Sequence, residues 1–234
     1  MFKEVEELVS VVMLTDKNLK VLSMESTFEN CDNLFFFNNT GLYSEKFRST
    51  KKLFYETSLT ENYFNDFNSI NLEDISYMLA FTLISEFQSE GINTKNVKTM
   101  SHLFEECISL TKVDLSLFDT SNSVDISYMF AACGAFKILD FSIFDISKVT
   151  NMLNMLQNCI SLTELNINKK DTSKVEDMPY MLDSYLSLEN FDLSNLDTKN
   201  VKNMKYMFKF CSGIILKNIA KNTPEDNKYN YKNQ

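Results

Sequence analysis

Hydrophobic residues recur along this chain with a period of 25 or 26 residues. Cys107, Cys133 and Cys159 mark the period because 26 residues separate each from the next. Counting every residue from this cysteine position, called position 0, aligns eight repeats. Position 0 is occupied in chain order by Cys31, Thr57, Thr82, Cys107, Cys133, Cys159, Tyr185 and Cys211. A fixed period of this length indicates a repeat protein whose units stack on their neighbours.

Four positions of each repeat predict a short helix. Positions −7, −4, −3 and 0 are apolar in most repeats, as in Met152, Met155, Leu156 and Cys159. This is the i, i+3, i+4, i+7 spacing of a helix that buries one face. A metal-binding or promiscuous apolar surface is the other interpretation of the methionines, and their helical spacing favours the core.

A period of two follows the cysteine position. Positions +6 and +8 are apolar and enclose a polar +7, as in Val113, Asp114 and Leu115, which is typical of a strand. Position +12 begins a polar corner with an aspartate that we expect to cap backbone N–H groups. These corner aspartates are Asp119, Asp145, Asp171 and Asp197.

Together the elements predict an α/β solenoid of about eight coils, with parallel strands on one face and short helices on the other. We expect the solenoid to cover residues 1–219, with its register weakest at 55–95. Residues 220–234 are polar and are expected to form a C-terminal tail.

The composition narrows the possible partners. A net charge of −9 argues against nucleic acid, whose phosphates require a basic surface. The sequence has no apolar segment of transmembrane length, so membrane insertion is not expected. The N-terminus as written carries no secretory signal or lipid anchor. Two alternatives follow: the protein stays in the cytoplasm, or a signal-bearing N-terminus is missing from this sequence.

Two strings resemble the BspA-like leucine-rich repeats, in the variety common in mycoplasma-type surface lipoproteins of unassigned function. They are Ser-Leu-Thr-Lys-Val-Asp-Leu-Ser-Leu-Phe-Asp-Thr-Ser at 109–121 and Ser-Leu-Glu-Asn-Phe-Asp-Leu-Ser-Asn-Leu-Asp-Thr-Lys at 187–199. The Val-x-x-Met-x-x-Met-Phe-x-x-Cys string at 201–211 completes the likeness. The resemblance implies a leucine-rich-repeat solenoid, a cell-surface location and a role in adhesion or protein binding. It implies neither catalysis nor a cofactor.

The cysteines and the single histidine are the residues with the most reactive chemistry. Metal sites place cysteines close together in sequence, and this chain has no such pair. Thr57 and Tyr185 replace the cysteine in their repeats, which argues against disulfides and favours buried thiols. His102 is predicted on the polar side of its helix, exposed and without a nucleophile or a paired base. We therefore predict no catalytic residue and no metal ligand.

The outward strand positions are the candidate binding site. Aspartates at +7 should lie in register on neighbouring strands, where like charges repel unless a cation, a basic partner or a serine at +9 compensates them. The proposed binding residues are Lys112, Asp114, Ile138, Asp140, Glu164, Asn166, Asn190 and Asp192. The expected partner is another protein, with a basic surface favoured by charge. Two alternatives remain open: a solvated strip that only keeps the sheet soluble, and a structural spacer or truncated array without a ligand.

Overall fold

The computed structural model describes residues 2–14, 23–40, 46–64, 70–167, 170–185 and 196–211. Within these ranges the regular elements are short strands, one per repeat, and no residue lies in an α-helix. The strands are β1 (Ser10–Leu14), β2 (Phe36–Thr40), β3 (Glu61–Tyr63), β4 (Glu86–Gln88), β5 (Lys112–Asp114), β6 (Ile138–Asp140) and β7 (Glu164–Asn166).

All strand pairs are parallel. Strands β1, β2 and β3 form one sheet, β4 pairs with β5, and β6 pairs with β7. Lys112 lies opposite Glu86, and Ile138 lies opposite Glu164, so within each sheet the paired residues are equivalent residues of successive repeats. No strand pairing of the described residues joins β3 to β4 or β5 to β6. A second parallel line of single β-bridges, at position −8, joins seven successive repeats. Its residues are Ser49, Asp74, Thr99, Asp125, Asn151, Asp177 and Asn203.

The predicted helices are wrong. Positions −7 to 0 form two consecutive turns in which alternate N–H groups reach across to the next repeat. The His102 N–H donates to the Ser127 carbonyl oxygen at 2.8 Å, and the Glu106 N–H donates to that of Ala131 at 2.8 Å. A helix would use these N–H groups internally. Here they hold neighbouring repeats together instead, which satisfies the backbone without a helix.

The turns require left-handed backbone at positions −5 and −1. His102 and Glu106 have φ values of 59° and 56°, and the equivalent residues of the other repeats are also positive, although none of these is glycine. Such residues cost of order 1–3 kcal/mol each and persist where the surroundings over-determine them. Here the hydrogen bonds between repeats and the buried side chains on either side hold the backbone in this conformation.

The predicted core positions are confirmed. Met152, Met155, Leu156 and Cys159 are all buried, as are most of their equivalents. Phenylalanines at −3 stack along the repeats, with ring centroids of Phe104 and Phe130 5.4 Å apart. The turn path therefore buries the same four positions as a helix would, which is why the apolar pattern could not distinguish the two.

Candidate functional site

Six of the eight predicted binding residues are exposed on three successive strands, of which β6 and β7 are paired with each other and β5 is paired with β4. Lys112 and Asp114 are exposed on either side of the half-buried Val113 in β5. In β6 and β7 the outer residues are likewise exposed around an inward-facing leucine. This surface, called the outward sheet face, comprises Lys112, Asp114, Ile138, Asp140, Glu164 and Asn166. Asn190 and Asp192 lie outside the described residues, so the structure does not place them.

The register adds residues that the sequence reading missed. Glu86 pairs with Lys112 and Gln88 pairs with Asp114, and both side chains are exposed. Their repeat is one residue shorter after position 0 than those that follow, which hid their equivalence. Glu86 extends the acidic character of the face toward the N-terminus.

The two aspartates of the outward sheet face are held by turns. The Asp114 Oδ1 atom accepts a hydrogen bond from the Ser116 N–H at 2.9 Å. The Asp140 Oδ1 atom accepts one from the Ser142 N–H at 2.8 Å and another from the Asn166 amide at 3.1 Å. The predicted compensation by serines at +9 is therefore confirmed for these two residues, with the backbone N–H as a donor.

These hydrogen bonds favour the charged carboxylates. The backbone hydrogen bond from Ser116 is the main cause that lowers the pKa of Asp114, and the side-chain hydrogen bond from Ser142 is the main one for Asp140. Both groups are thus ionised at neutral pH. The described residues provide neither carboxylate with an ion pair, so their charges face solvent.

The corner after each strand combines caps with exposed apolar groups. The Oδ1 atoms of Asp119 and Asp145 accept the N–H groups of the residues two positions on, both at 3.0 Å, which confirms the capping prediction. Between the +7 and +12 aspartates lie Leu117 and Ile143, whose exposed fractions are 61% and 48%. The sequence reading did not single out this +10 position.

The cysteine position supplies a buried hydrogen-bond donor. The Cys133 thiol donates to the Phe104 carbonyl oxygen at 3.0 Å, in the preceding repeat. The Tyr185 hydroxyl reaches the equivalent Leu156 oxygen at 2.8 Å. Thr82 has the same role within its own repeat, where its hydroxyl donates at 2.8 Å. The three residue types therefore share a donor, which explains their exchange at this position.

The buried thiols are chemically quiet. All five cysteines are free, and burial raises the pKa of Cys107 and of Cys159 to about 12. Burial also raises the pKa of the half-buried Cys211, to about 11. The part of the chain that the structure describes contains no group of histidine, cysteine and carboxylate side chains able to hold a metal ion. Structure and sequence both favour a packing role for these residues.

The prediction that His102 is exposed is wrong, because its ring is partly buried. Its ring is stacked between Tyr77 and Tyr128, with centroid distances of 4.0 and 4.4 Å. Its Nδ1 atom lies 2.7 Å from a carboxylate oxygen of Glu105. The left-handed turn points this side chain along the ladder of equivalent residues, where neighbouring rings cover its two faces.

A shallow groove of about 380 Å³ lies along a different edge of the repeats, beside the position −8 bridges. Glu73 in its wall is paired with Arg48 at 2.7 Å and with Lys98 at 2.6 Å. The Asn96 amide donates to the Ile70 carbonyl oxygen at 2.7 Å, and that of Asn122 to the Lys95 oxygen at 2.8 Å. Because the chain itself occupies these groups, the groove is a weaker candidate than the outward sheet face.

The residues of the described ranges form no helix of the length and apolar character required to cross a membrane.

Comparison with known proteins places the repeats in a family. The family model described as "Mycoplasma protein of unknown function, DUF285" matches residues 44–140 and 132–230. No curated protein matches the chain. The crystal structure of a leucine-rich repeat protein from Bacteroides ovatus is similar, with a TM-score of 0.56 and 15% sequence identity. The similarity covers 82% of this chain and 44% of that one, so the chain spans less than half of its structural relative.

At that identity the crystal structure supports the repeat fold alone, and neither comparison indicates a catalytic activity. The family model, in contrast, matches most of the chain in two overlapping segments. The protein therefore belongs to the family of Mycoplasma proteins of unknown function, DUF285, and its similarity in fold to a leucine-rich repeat protein supports the predicted resemblance to the BspA-like repeats.

Proposed function

We propose that this protein is a non-enzymatic binding module that recognises another protein through the outward sheet face. In this proposal the described repeats belong to one continuous solenoid of about eight coils, which presents the face as an extended surface. The observation that carries the proposal is the set of ionised, unpaired carboxylates at Asp114 and Asp140. Turn hydrogen bonds fix them in place before any partner arrives.

The surrounding residues support an electropositive partner. Glu86 and Glu164 are exposed at the positions equivalent to Lys112, so acidic groups outnumber the basic one along the described part of this row. In register, Glu86 lies opposite the basic Lys112, whereas Glu164 lies opposite the apolar Ile138 and has no basic residue across from it on β6. A basic surface would complement the net negative charge of the face and would be steered toward it at low ionic strength.

Charge reversal tests the proposal. The intact chain is immobilised and the Asp114→Lys/Asp140→Lys variant is compared with it for capture of proteins from cell extract at two salt concentrations. The matched control is Glu25→Lys/Glu106→Lys, which reverses two exposed carboxylates in the turns away from the strands. We expect a partner that is retained by the wild type and the control, is lost by the sheet-face variant, and is weakened by salt.

Equal capture by all three proteins would refute the outward sheet face as the binding surface. Circular dichroism of both variants must match that of the wild type, because the sheet-face variant also removes the acceptors of the Ser116 and Ser142 N–H groups. If the wild type retains no protein at either salt concentration, the structural-spacer alternative is favoured.

A further inference from the structure

The outward sheet face continues around the strand ends into a surface of mixed character. We call it the corner patch; it consists of Asp114, Leu117, Asp119, Asp140, Ile143 and Asp145. Its centre is Leu117 and Ile143, which are equivalent residues of adjacent repeats and are 61% and 48% exposed. The corners that follow them are adjacent, because the Thr120 hydroxyl donates to the Asp145 carbonyl oxygen at 3.1 Å and accepts the Asp145 N–H at 2.8 Å. We therefore expect the two aliphatic side chains to lie near each other as one short strip.

Carboxylates border this strip on both sides. Asp114 and Asp140 end the strands before it, and Asp119 and Asp145 begin the corner after it. In each of the four, a backbone N–H two residues on binds the Oδ1 atom, at 2.8 to 3.0 Å. The positions of the charges are thus built into the turns. An exposed apolar strip enclosed by fixed negative charges differs from an isolated surface leucine, which needs no explanation.

Nearby lysines such as Lys112 and Lys170 attract these carboxylates electrostatically without reaching ion-pair distance. The Lys170 ammonium donates to the carbonyl oxygens of Ser142 and Phe144 at 2.7 and 2.5 Å. Lys148 donates to the Asn122 side-chain oxygen at 2.6 Å. Among the described residues, no ion pair reaches any of the four carboxylates of the corner patch.

We propose that the corner patch binds a short basic segment of a partner protein in which lysine or arginine residues flank apolar side chains. The apolar side chains cover Leu117 and Ile143, and the cations meet the aspartates on either side. A second copy of this chain is a poor occupant because its net charge is −9. The inference rests on the proposed function, which it extends by specifying what the partner must present.

Three labelled peptides test the inference on the full chain by fluorescence anisotropy. The first alternates lysine with leucine, the second alternates lysine with serine at the same charge, and the third alternates glutamate with leucine. We expect the lysine–leucine peptide to bind at least about tenfold more tightly than the lysine–serine peptide, since covering two aliphatic side chains stabilises the complex by well over the energy of one tenfold step. The glutamate–leucine peptide should not bind.

Two double variants and one control double variant separate the apolar from the charged contribution to peptide binding. Leu117→Ser/Ile143→Ser should reduce binding of the lysine–leucine peptide to the level of the lysine–serine peptide, with an unchanged salt dependence. The matched control, Ile108→Ser/Ile160→Ser, alters two aliphatic residues that are 57% and 53% exposed at position +1 and should have no effect. Asp114→Asn/Asp140→Asn should weaken both lysine peptides and reduce their salt dependence.

The outcomes distinguish this inference from the proposed function. If the aspartate variant weakens both lysine peptides equally and the serine variant has no effect, the apolar strip is not a contact and only the acidic face remains. Equal binding of the glutamate–leucine peptide, or no binding of any peptide, would overturn the inference. Capture by the charge-reversal proteins tests the proposed function independently of these peptides.

Discussion

The hydrogen-bond donor at position 0 predicts that a polar replacement of a buried cysteine is more stable than an apolar one. Cys133 is buried between two further cysteine repeats, and its thiol donates to the Phe104 carbonyl oxygen at 3.0 Å. Cys133→Ala removes the donor and leaves a small cavity, whereas Cys133→Ser keeps a donor at nearly the same place. In an apolar site without a partner, a buried hydroxyl costs about 1–3 kcal/mol, so alanine would be the better replacement. A required donor reverses this order.

The size of the reversal follows from the hydrogen bond. A typical buried hydrogen bond contributes about 0.5–1.5 kcal/mol net to stability, so Cys133→Ser should be more stable than Cys133→Ala by about that amount. Cys133→Ala should be less stable than the wild type by about 1–2 kcal/mol, which combines the lost bond with the lost packing of one heavy atom. The Phe104 oxygen keeps the N–H of Cys107 at 3.1 Å, which limits the loss.

Urea denaturation followed by circular dichroism measures these differences in the free energy of unfolding. Stacked repeats can deviate from two-state unfolding, so the transitions are compared with a second probe, tyrosine fluorescence. Ala131, which is buried at the neighbouring position −2, provides the control. Ala131→Ser adds a hydroxyl at a position where the native side chain has no hydrogen-bond donor, so this substitution should lower the free energy of unfolding. The reasoning is refuted if Cys133→Ala is as stable as Cys133→Ser or more so.

Three further predictions follow from other contacts. In the native protein a thiol reagent at pH about 8 should react slowly with Cys211 and hardly at all with Cys107 and the other buried cysteines. In urea the reagent should react with all five. Rapid reaction of several thiols in the native protein would contradict the burial that raises their pKa values. Lys170 occupies position +11, and the equivalent residue of the preceding repeat, Phe144, is buried. Lys170→Leu should therefore raise the free energy of unfolding by about 0.5–1 kcal/mol. A decrease would show that the two hydrogen bonds of Lys170 to carbonyl oxygens contribute more to stability than apolar packing does. Hydrogen bonds from the serines two residues on lower the pKa values of Asp114, Asp119, Asp140 and Asp145. Their stabilisation is therefore complete above the unfolded value of 3.8 and is lost as pH falls through the lower folded values. Thermal unfolding should accordingly change little from pH about 7 to 5 and its midpoint should fall below pH about 4, whereas a midpoint that is independent of pH would contradict the Asx hydrogen bonds.

The strand side of each repeat was predictable because its period of two determines which side chains point outward. Asp114 and Ile138 are exposed as the alternation requires, and Leu139 between the strand ends of β6 is buried. The corner aspartates were predictable because a short carboxylate has few other uses at a turn. These features depend on local geometry that one repeat specifies by itself.

The turn side was not predictable, because its hydrogen bonds run between repeats. Positions −7, −4, −3 and 0 are buried along the turns as they would be in a helix, and residues such as His102 and Glu106 adopt left-handed backbone without glycine as a signal. The stack of His102 between two tyrosines depends on equivalent residues of three repeats. Reading the repeats side by side at position −5 would have shown Tyr77 and Tyr128 beside this histidine.

The candidate site was predictable in part. The alternation located the outward sheet face, but the exposed Leu117 and Ile143 lie in a corner where no simple period applies. Their exposure depends on the way the turn at Asp114 redirects the chain. The shorter repeat between 82 and 107 also displaced Glu86 and Gln88 from the numbering that identified their neighbours.

The most direct test of the central claim is the dissociation constant of the captured partner protein as a function of salt, for the wild type and for Asp114→Asn/Asp140→Asn. The substitution removes two charges while it preserves the shape of the side chains. We predict that the variant binds the partner more weakly at low salt and that its dissociation constant depends less on salt. The reason is that positive groups on the partner no longer face the two carboxylates. Identical dissociation constants and identical salt dependence for the two proteins would contradict recognition through the outward sheet face.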